Sequence, residues 1–397
     1  MTPIDDGVTA AWGFTAAGVT AGLKASGNPD MAVVVAREPV TAAAVLTTNQ
    51  VKAAPVTLTA QHLAATGGHA RAVLLNAGSA NVCVGPEGLA LAREAAGVAA
   101  THLGCAVEEV LLCSTGVIGV PIARERYLAG IGSAIAAATA AGGLDAAEAI
   151  MTTDLVVKEA AVHVTDEEGG SATLGGMCKG SGMIAPAMAT MLCVVTTDAA
   201  LAPEQAQAML GRAVDRTFNR VSVDGVMSTN DTVILLANGS AVTPPDARAI
   251  EAGLIEVLGD LAAQMVRDGE GAQRLVRLVV SGARSEVEAL AVARQVGNDN
   301  LVKTAVAGAD PNWGRIIAAV GAAPVAIDPD RIMIAVGEVT VCTGGMAAPF
   351  DRAAAVGVMD ATEVTITIDL GLGQADATFM TCDLTHGYIT INAEYTT

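Results

Sequence analysis

The residue class that most constrains this 397-residue chain is the one it nearly lacks: aromatics make up 2% of it, although 52% is hydrophobic. Its interior must therefore be filled by Ala, Val, Leu, Ile and Met around 43 glycines, because protein interiors reach crystal-like density whatever their composition. Small side chains reach that density only where backbones approach one another closely. At this length the chain can form one large α/β body or as many as three domains.

Residues 31–37 (MAVVVAR), 72–76 and 110–113 read as short buried strands, with Ala-rich helices over 87–103 and 121–141. Pro121 fits the first turn of the second helix. Further strands are expected at 155–164, 171–178, 191–197 and 231–237, and helices near 202–217 and 246–267. Beyond them, 274–281, 331–336, 363–369 and 386–391 read as strands, and 284–296 and 311–320 as helices, with Asp310 as N-cap and Pro311 as first helical residue. Elements mixed in this way predict a layered α/β fold.

Several functions are excluded. With 22 Lys and Arg against 41 Asp and Glu, the net charge of −19 repels phosphate backbones, so no nucleic-acid partner is expected. The seven cysteines form no C-x-x-C pair and their number is odd, which fits a reducing cytoplasm. The five scattered histidines offer no metal spacing, and no G-x-G-x-x-G or P-loop is present, so neither metal nor cofactor is expected. Met1 to Gly7 carries Asp5 and Asp6 and lacks the character of a signal peptide. Two uncharged stretches, Tyr127 to Leu144 and Gly180 to Thr197, are too rich in small and polar residues to be read as membrane spans.

The chemistry-bearing stretch is Lys179-Gly180-Ser181-Gly182-Met183-Ile184-Ala185-Pro186-Ala187-Met188-Ala189-Thr190-Met191-Leu192: a lysine in a glycine-rich turn, a proline-containing loop, then a strand opened by Thr190. By propensity alone Thr190 is a β-branched residue starting a strand. Cys113, Cys178 and Cys193 lie in apolar runs and read as core residues. Ser181 lacks a G-x-S-x-G frame, so His386 and Asp383 do not complete a serine triad with it.

This stretch resembles the self-cleavage motif K-G-x-G-M-[IL]-x-P-x-[ML]-A-T-M-L of the ornithine acetyltransferase (glutamate N-acetyltransferase) family of arginine biosynthesis. Similar stretches run nearly end to end: Gly13 to Lys24, Asn49 to Pro55, Cys113 to Gly119, Ile150 to Asp154, Ser228 to Asp231, Asp268 to Gly271, Asp310 to Arg315 and Ile391 to Thr397. The resemblance implies a mixed α/β fold of the DmpA-like N-terminal-nucleophile type. It also implies cleavage between Ala189 and Thr190 into residues 1–189 and 190–397, which stay associated as a dimer of cleaved pairs.

In such an enzyme Thr190 is the nucleophile and its newly freed α-amine the base, with a reference pKa of about 7.7–8.0 near working pH. Thr115 and Gly116 are implied as the oxyanion hole, and Thr153, Lys179, Thr190, Glu270, Asn392 and Thr397 as substrate contacts. Thr152 competes with Thr153 for that role. Lys179 suits an α-carboxylate, Glu270 an ammonium or a proton in transit, and Asn392 amide groups. The implied reaction moves acetyl from N-acetylornithine to glutamate without a cofactor, and the sequence leaves open whether acetyl-CoA is a second donor. Two rival readings are an aminopeptidase or amidase that sends the acyl group to water, and a non-catalytic amino-acid-binding protein.

Overall fold

The computed structural model describes residues 1–185 and 191–394. They divide into two compact units, the first of Met1–Asn219 with Val226–Met265, the second of Arg220–Gly225 with the chain from Val266 onward.

The first unit runs β1 (Thr2–Ile4), β2 (Phe14–Val19), β3 (Met31–Leu46), α1 (Ala54–Thr66), β4 (His69–Ser79), α2 (Pro86–Leu103), β5 (Val110–Val117), α3 (Arg124–Ala137), α4 (Gly143–Ala149), β6 (Lys158–Thr165), β7 (Ser171–Lys179), β8 (Leu192–Thr197), α5 (Pro203–Arg216), β9 (Thr232–Ala237) and α6 (Ala247–Arg267). Its strands form one nine-stranded sheet in the order β1-β6-β7-β8-β9-β3-β4-β5, with β2 paired to β3. The β4–β5 and β8–β9 pairs are parallel and the others antiparallel.

Both faces of this sheet are covered, which is why its strands read as unbroken apolar runs. In β3, Met31 and Val33 face a core with Leu74 of β4, Leu112 of β5 and the alanine stripe Ala92, Ala95, Ala96 and Ala99 of α2. Ala32 and Val34 face the opposite core, with Leu75, Leu111, Val194, Ile234 and the α4 residues Ala146 and Ala147. Close approach is literal here: a Cβ on Gly18 of β2 would overlap the Asp145 carbonyl of α4.

The second unit contains β10 (Leu275–Ala283), α7 (Glu286–Gly297), α8 (Asn300–Ala307), α9 (Trp313–Gly321), β11 (Met333–Val336), β12 (Val339–Thr343), β13 (Met346–Ala347), α10 (Arg352–Met359), β14 (Glu363–Asp369), β15 (Ala375–Cys382) and α11 (His386–Glu394). Its sheet has the order β13-β12-β11-β14-β10-β15. Ala289, Val292 and Val296 of α7 and Ile316 and Val320 of α9 pack on Val276, Leu278, Ile366 and Ile368.

The mixed α/β class is as expected, with three local corrections. Residues 386–391 are helical: Thr385 Oγ1 accepts the Gly387 N–H at 3.0 Å and opens α11, while the strand beside β10 is the unexpected β15. Helix α9 is capped by Asn312, whose Oδ1 accepts the Arg315 N–H at 3.2 Å; Asp310 instead accepts from Asn312 Nδ2 at 3.0 Å, so Pro311 lies outside the helix. Helix α3 starts at Arg124, beyond Pro121, and stops at Ala137 because Thr139 exchanges two 2.9 Å backbone hydrogen bonds with Ala16. Among the described residues no helix is long and apolar enough to cross a membrane.

Replacing Gly18 by valine forces β2 and α4 apart. The expected cost is about 1–3 kcal/mol, as for other overpacked cores. Thermal melting of G18V should show its midpoint lowered by about 2–4 °C for each kcal/mol.

Candidate active site

The site in the first unit is assembled at strand ends. Lys179, last in β7, is in register with Leu192, first in β8, and Leu192 with Thr232, first in β9. The residue before β8 is held twice: Met191 N–H donates to Asp231 Oδ1 at 3.0 Å, and Thr232 N–H to the Met191 carbonyl at 3.0 Å.

Beside this clamp lies a buried ionic cluster. Asp154 Oδ1 is 2.7 Å from Lys158 Nζ, and Oδ2 is 3.6 Å from Lys179 Nζ. The carboxylate also accepts the Gly180 N–H at 2.7 Å and the Thr152 N–H at 3.0 Å. Burial by itself would raise its pKa, but the two ammonium groups and these donors outweigh burial and hold it well below the usual carboxylate range. Lys179 also donates to Thr152 Oγ1 at 2.7 Å, and the Thr153 and Ser181 hydroxyls are 2.8 Å apart. Lys24 donates to the carbonyls of Pro29 at 2.6 Å and Ala149 at 3.2 Å; burial lowers its pKa to about 8, with Lys179 adding to the effect and Asp30 opposing it.

Thr115 and Gly116 end β5. Thr115 is buried, and Gly116 has φ of 128°. A Cβ at Gly116 would sit 2.6 Å from the Ser79 nitrogen of β4, so only glycine fits. Asn230 fixes the approach to this pair by donating from Nδ2 to the carbonyls of Ser114 at 2.8 Å and Ala80 at 2.7 Å, while Ser114 Oγ donates to Asn76 Oδ1 at 2.6 Å. The dipeptide Asn230-Asp231 thus ties the end of β5 to the start of β8. A rigid strand end of this kind can present backbone N–H groups to a developing oxyanion without reorganising, which is worth about 3–4 kcal/mol per donor in acyl transfer.

Thr115, Gly116, Thr153 and Lys179 therefore lie in one unit, and Thr152, the competing candidate, is the hydroxyl that Lys179 holds. Glu270 and Asn392 belong to the second unit, where Asn392 Nδ2 donates to Glu270 Oε2 at 2.8 Å. Ala189, Thr190 and Thr397 lie outside the described residues. Sequence reasoning gave no role to Asp154, Lys158, Asn230, Asp231 or Lys24. Asp154 and Lys158 did leave a signal, a charge pair four residues apart at the foot of an apolar run. Cys113 and Cys178 are fully buried, with burial pushing both thiols up to about 12, and Cys193 is driven well above its ordinary value by the same cause, which fits core packing and not nucleophilic duty.

A mixed α/β sheet with a buried polar frame at its strand ends is the class of molecule these coordinates define. Residues 15–397 match the ArgJ family. The chain is 47% identical to the arginine biosynthesis bifunctional protein ArgJ of Mycobacterium tuberculosis over 98% of its own length and 96% of that protein, and 45% identical to that of Thermobifida fusca over 98% and 100%. Among solved structures, the ornithine acetyltransferase complexed with ornithine from Mycobacterium tuberculosis is 44% identical over 47% of this chain and 96% of that one, with a TM-score of 0.42. The chain belongs to the ArgJ family, the one its motifs resemble.

Asp154→Asn leaves the buried Lys158 ammonium without its counter-charge, at an expected cost of about 3–5 kcal/mol. Because the native carboxyl pKa is depressed from an unfolded value near 3.9, the wild-type advantage is complete above about pH 4 and shrinks as the pH falls further. Urea denaturation of both proteins from pH 7 down to pH 3 measures that closing gap.

Proposed function

We propose that this protein is an arginine-biosynthesis acetyltransferase that carries acetyl from N-acetylornithine to glutamate through an ester on Thr190. The observation that carries the reading is the ArgJ match across residues 15–397. The site geometry supports it: Asp231 holds the N–H of Met191, the residue that follows Thr190, and Lys179, held by Thr152 and Asp154, pairs in register with Leu192, the next residue along.

Activation begins with the Thr190 hydroxyl attacking the Ala189 carbonyl, forming an ester that water resolves into fragments 1–189 and 190–397. The freed α-amine then takes the hydroxyl proton during each acetyl transfer. Thr115 and Gly116 receive the oxyanion, and Lys179 receives the substrate carboxylate. Thr153, Glu270, Asn392 and Thr397 complete the substrate contacts. The two fragments remain together because β8 and β9 come from the second fragment yet pair with β7 and β3 from the first, and two such pairs form the assembly. The name "bifunctional" carried by the relatives supports acetyl-CoA as a second donor. A place in amino-acid biosynthesis fits a cytoplasmic enzyme.

Thr190→Ala is expected to abolish both events. Denaturing mass spectrometry should show two fragments for the wild type, the second beginning Thr-Met-Leu-Cys, and one 39.6 kDa chain for the variant. Acetylglutamate formation should fall to background. Acetate release in its place would favour a hydrolase, and an active, uncleaved variant would refute the nucleophile.

A further inference from the structure

Lys24 lies in the short segment between β2 and β3, and this segment is pinned from within. The fully buried Asp30 carboxylate accepts the Ala21 N–H at 2.6 Å, the Lys24 N–H at 2.9 Å and the Leu23 N–H, so its oxygens are taken up by backbone donors. The segment presses on the glycines beside it: a Cβ on Gly78 would lie 2.9 Å from the Leu23 carbonyl oxygen, and one on Gly116 would lie 2.7 Å from that of Gly78. On its other side Lys24 Nζ donates at 3.2 Å to the carbonyl of Ala149, the last residue of α4. Three residues further on, Thr152 accepts from Lys179 Nζ at 2.7 Å. Lys24 thus links the strand end at Gly116 to the segment that holds Lys179. Its charge has no local counterpart. Both acceptors of its ammonium are uncharged carbonyls, that of Ala149 and that of Pro29 at 2.6 Å, and among the described residues no carboxylate stands within ion-pair distance of it. Asp154 is already engaged by Lys158 at 2.7 Å. Lysines are rarely taken from water without a paired carboxylate. Burial lowers the pKa of Lys24 to about 8, with Asp30 and Asp154 opposing that change and Lys179 adding to it. Two ammonium groups close enough to repel are both stabilised by an anion that reaches the pair.

Resting on the reading of Lys179 as the carboxylate contact of an acetyltransferase, we propose that Lys24 is its partner in that contact: the two ammonium groups each take one oxygen of the α-carboxylate that N-acetylornithine and glutamate share. A chain of net charge −19 repels such an anion through its general field, and a pair of lysines reverses that sign locally. The pair also sets orientation. Lys24 is braced on the Gly78 side and Lys179 on the Thr152 side, and a carboxylate held at both oxygens cannot turn about its own axis, which fixes the amino acid behind it. No bond to carbon is made or broken in this step. Both lysines stay protonated, and the bound carboxylate is the counter-charge that Lys24 lacks.

Lys24→Gln tests this, because the amide keeps an N–H donor for the carbonyls and loses the charge. At pH 7, KM for N-acetylornithine and KM for glutamate should each rise about 10- to 10²-fold, the worth of one charged hydrogen bond, while kcat stays within about threefold. A purely structural defect would lower kcat or the amount of active enzyme without that split. Lys24→Arg keeps its charge to far higher pH and should recover most of the affinity at pH 7. Wild-type Lys24 is charged below its pKa of about 8 and neutral above it, so kcat/KM for N-acetylornithine should decline above about pH 8, and Lys24→Arg should lack that decline. Wild-type KM values in Lys24→Gln, or an unmoved decline in Lys24→Arg, overturn the proposal. A rise confined to the KM of glutamate also overturns it, because that result places Lys24 on the side-chain carboxylate. Should Lys24→Gln fail to fold, the pH profile of Lys24→Arg decides alone. A wild-type enzyme that forms no acetylglutamate removes the acetyltransferase reading itself; normal wild-type turnover beside unchanged KM values in Lys24→Gln removes only the role of Lys24.

Discussion

Burial of the large sheet on both faces is the constraint on which the rest of the first unit depends. Every residue of β8 and β9 is buried, and both strands lie inside the sheet, not at its edge. A strand enclosed on both faces and both edges cannot shift register without breaking two ladders and exposing apolar surface to polar neighbours. Lys179, Met191 and Asp231, which sit at the ends of such strands, inherit that rigidity. The paucity of aromatic side chains is the other half of the same constraint. Alanine stripes and glycine contacts let α2 and α4 approach the sheet closely enough to cover it.

Against this apolar background the Asp154 cluster is an expensive feature. Three charges are taken from water, and the carboxylate is satisfied by two ammonium groups and two backbone N–H groups. Buried ion pairs seldom outperform apolar packing in stability, so the cluster is better understood through what it positions. Lys158 neutralises Asp154 from below, which leaves Lys179 with a longer 3.6 Å ion pair and a firm hydrogen bond to Thr152.

Much of the fold was legible because strands buried on both faces leave unbroken apolar runs, and the runs at 31–37, 72–76 and 110–113 all became strands. Where the reading failed, a tertiary contact overrode a local preference. Thr139 leaves its helix to pair with Ala16, and Ile389 and Ile391 alternate as in a strand yet sit in a helix opened by Thr385. Asn312 won the cap from Asp310 because its own side chain reaches the Arg315 N–H. The candidate site was read in a different way. Composition and periodicity file Lys179 as the end of a strand and Thr115-Gly116 as a turn, and only the ordered motifs single them out. Asp154, Asn230 and Asp231 stood within those motifs without a role, since nothing in a linear sequence reveals that one carboxylate will meet two lysines, or that another will meet the N–H of residue 191.

The placement of β8 and β9 also bears on how a chain would keep its fold if it were cut, as proposed, before residue 190. Breaking the bond before residue 190 removes one covalent link at the entrance to β8. The hydrogen-bond ladders from β8 to β7 and to β9, and from β9 to β3, run beyond that point and are untouched by it. Folding as one chain lets these strands insert into the middle of the sheet, where a separate fragment would have to open two ladders to enter. These ladders would hold the geometry around Met191 whether or not the bond before residue 190 is broken.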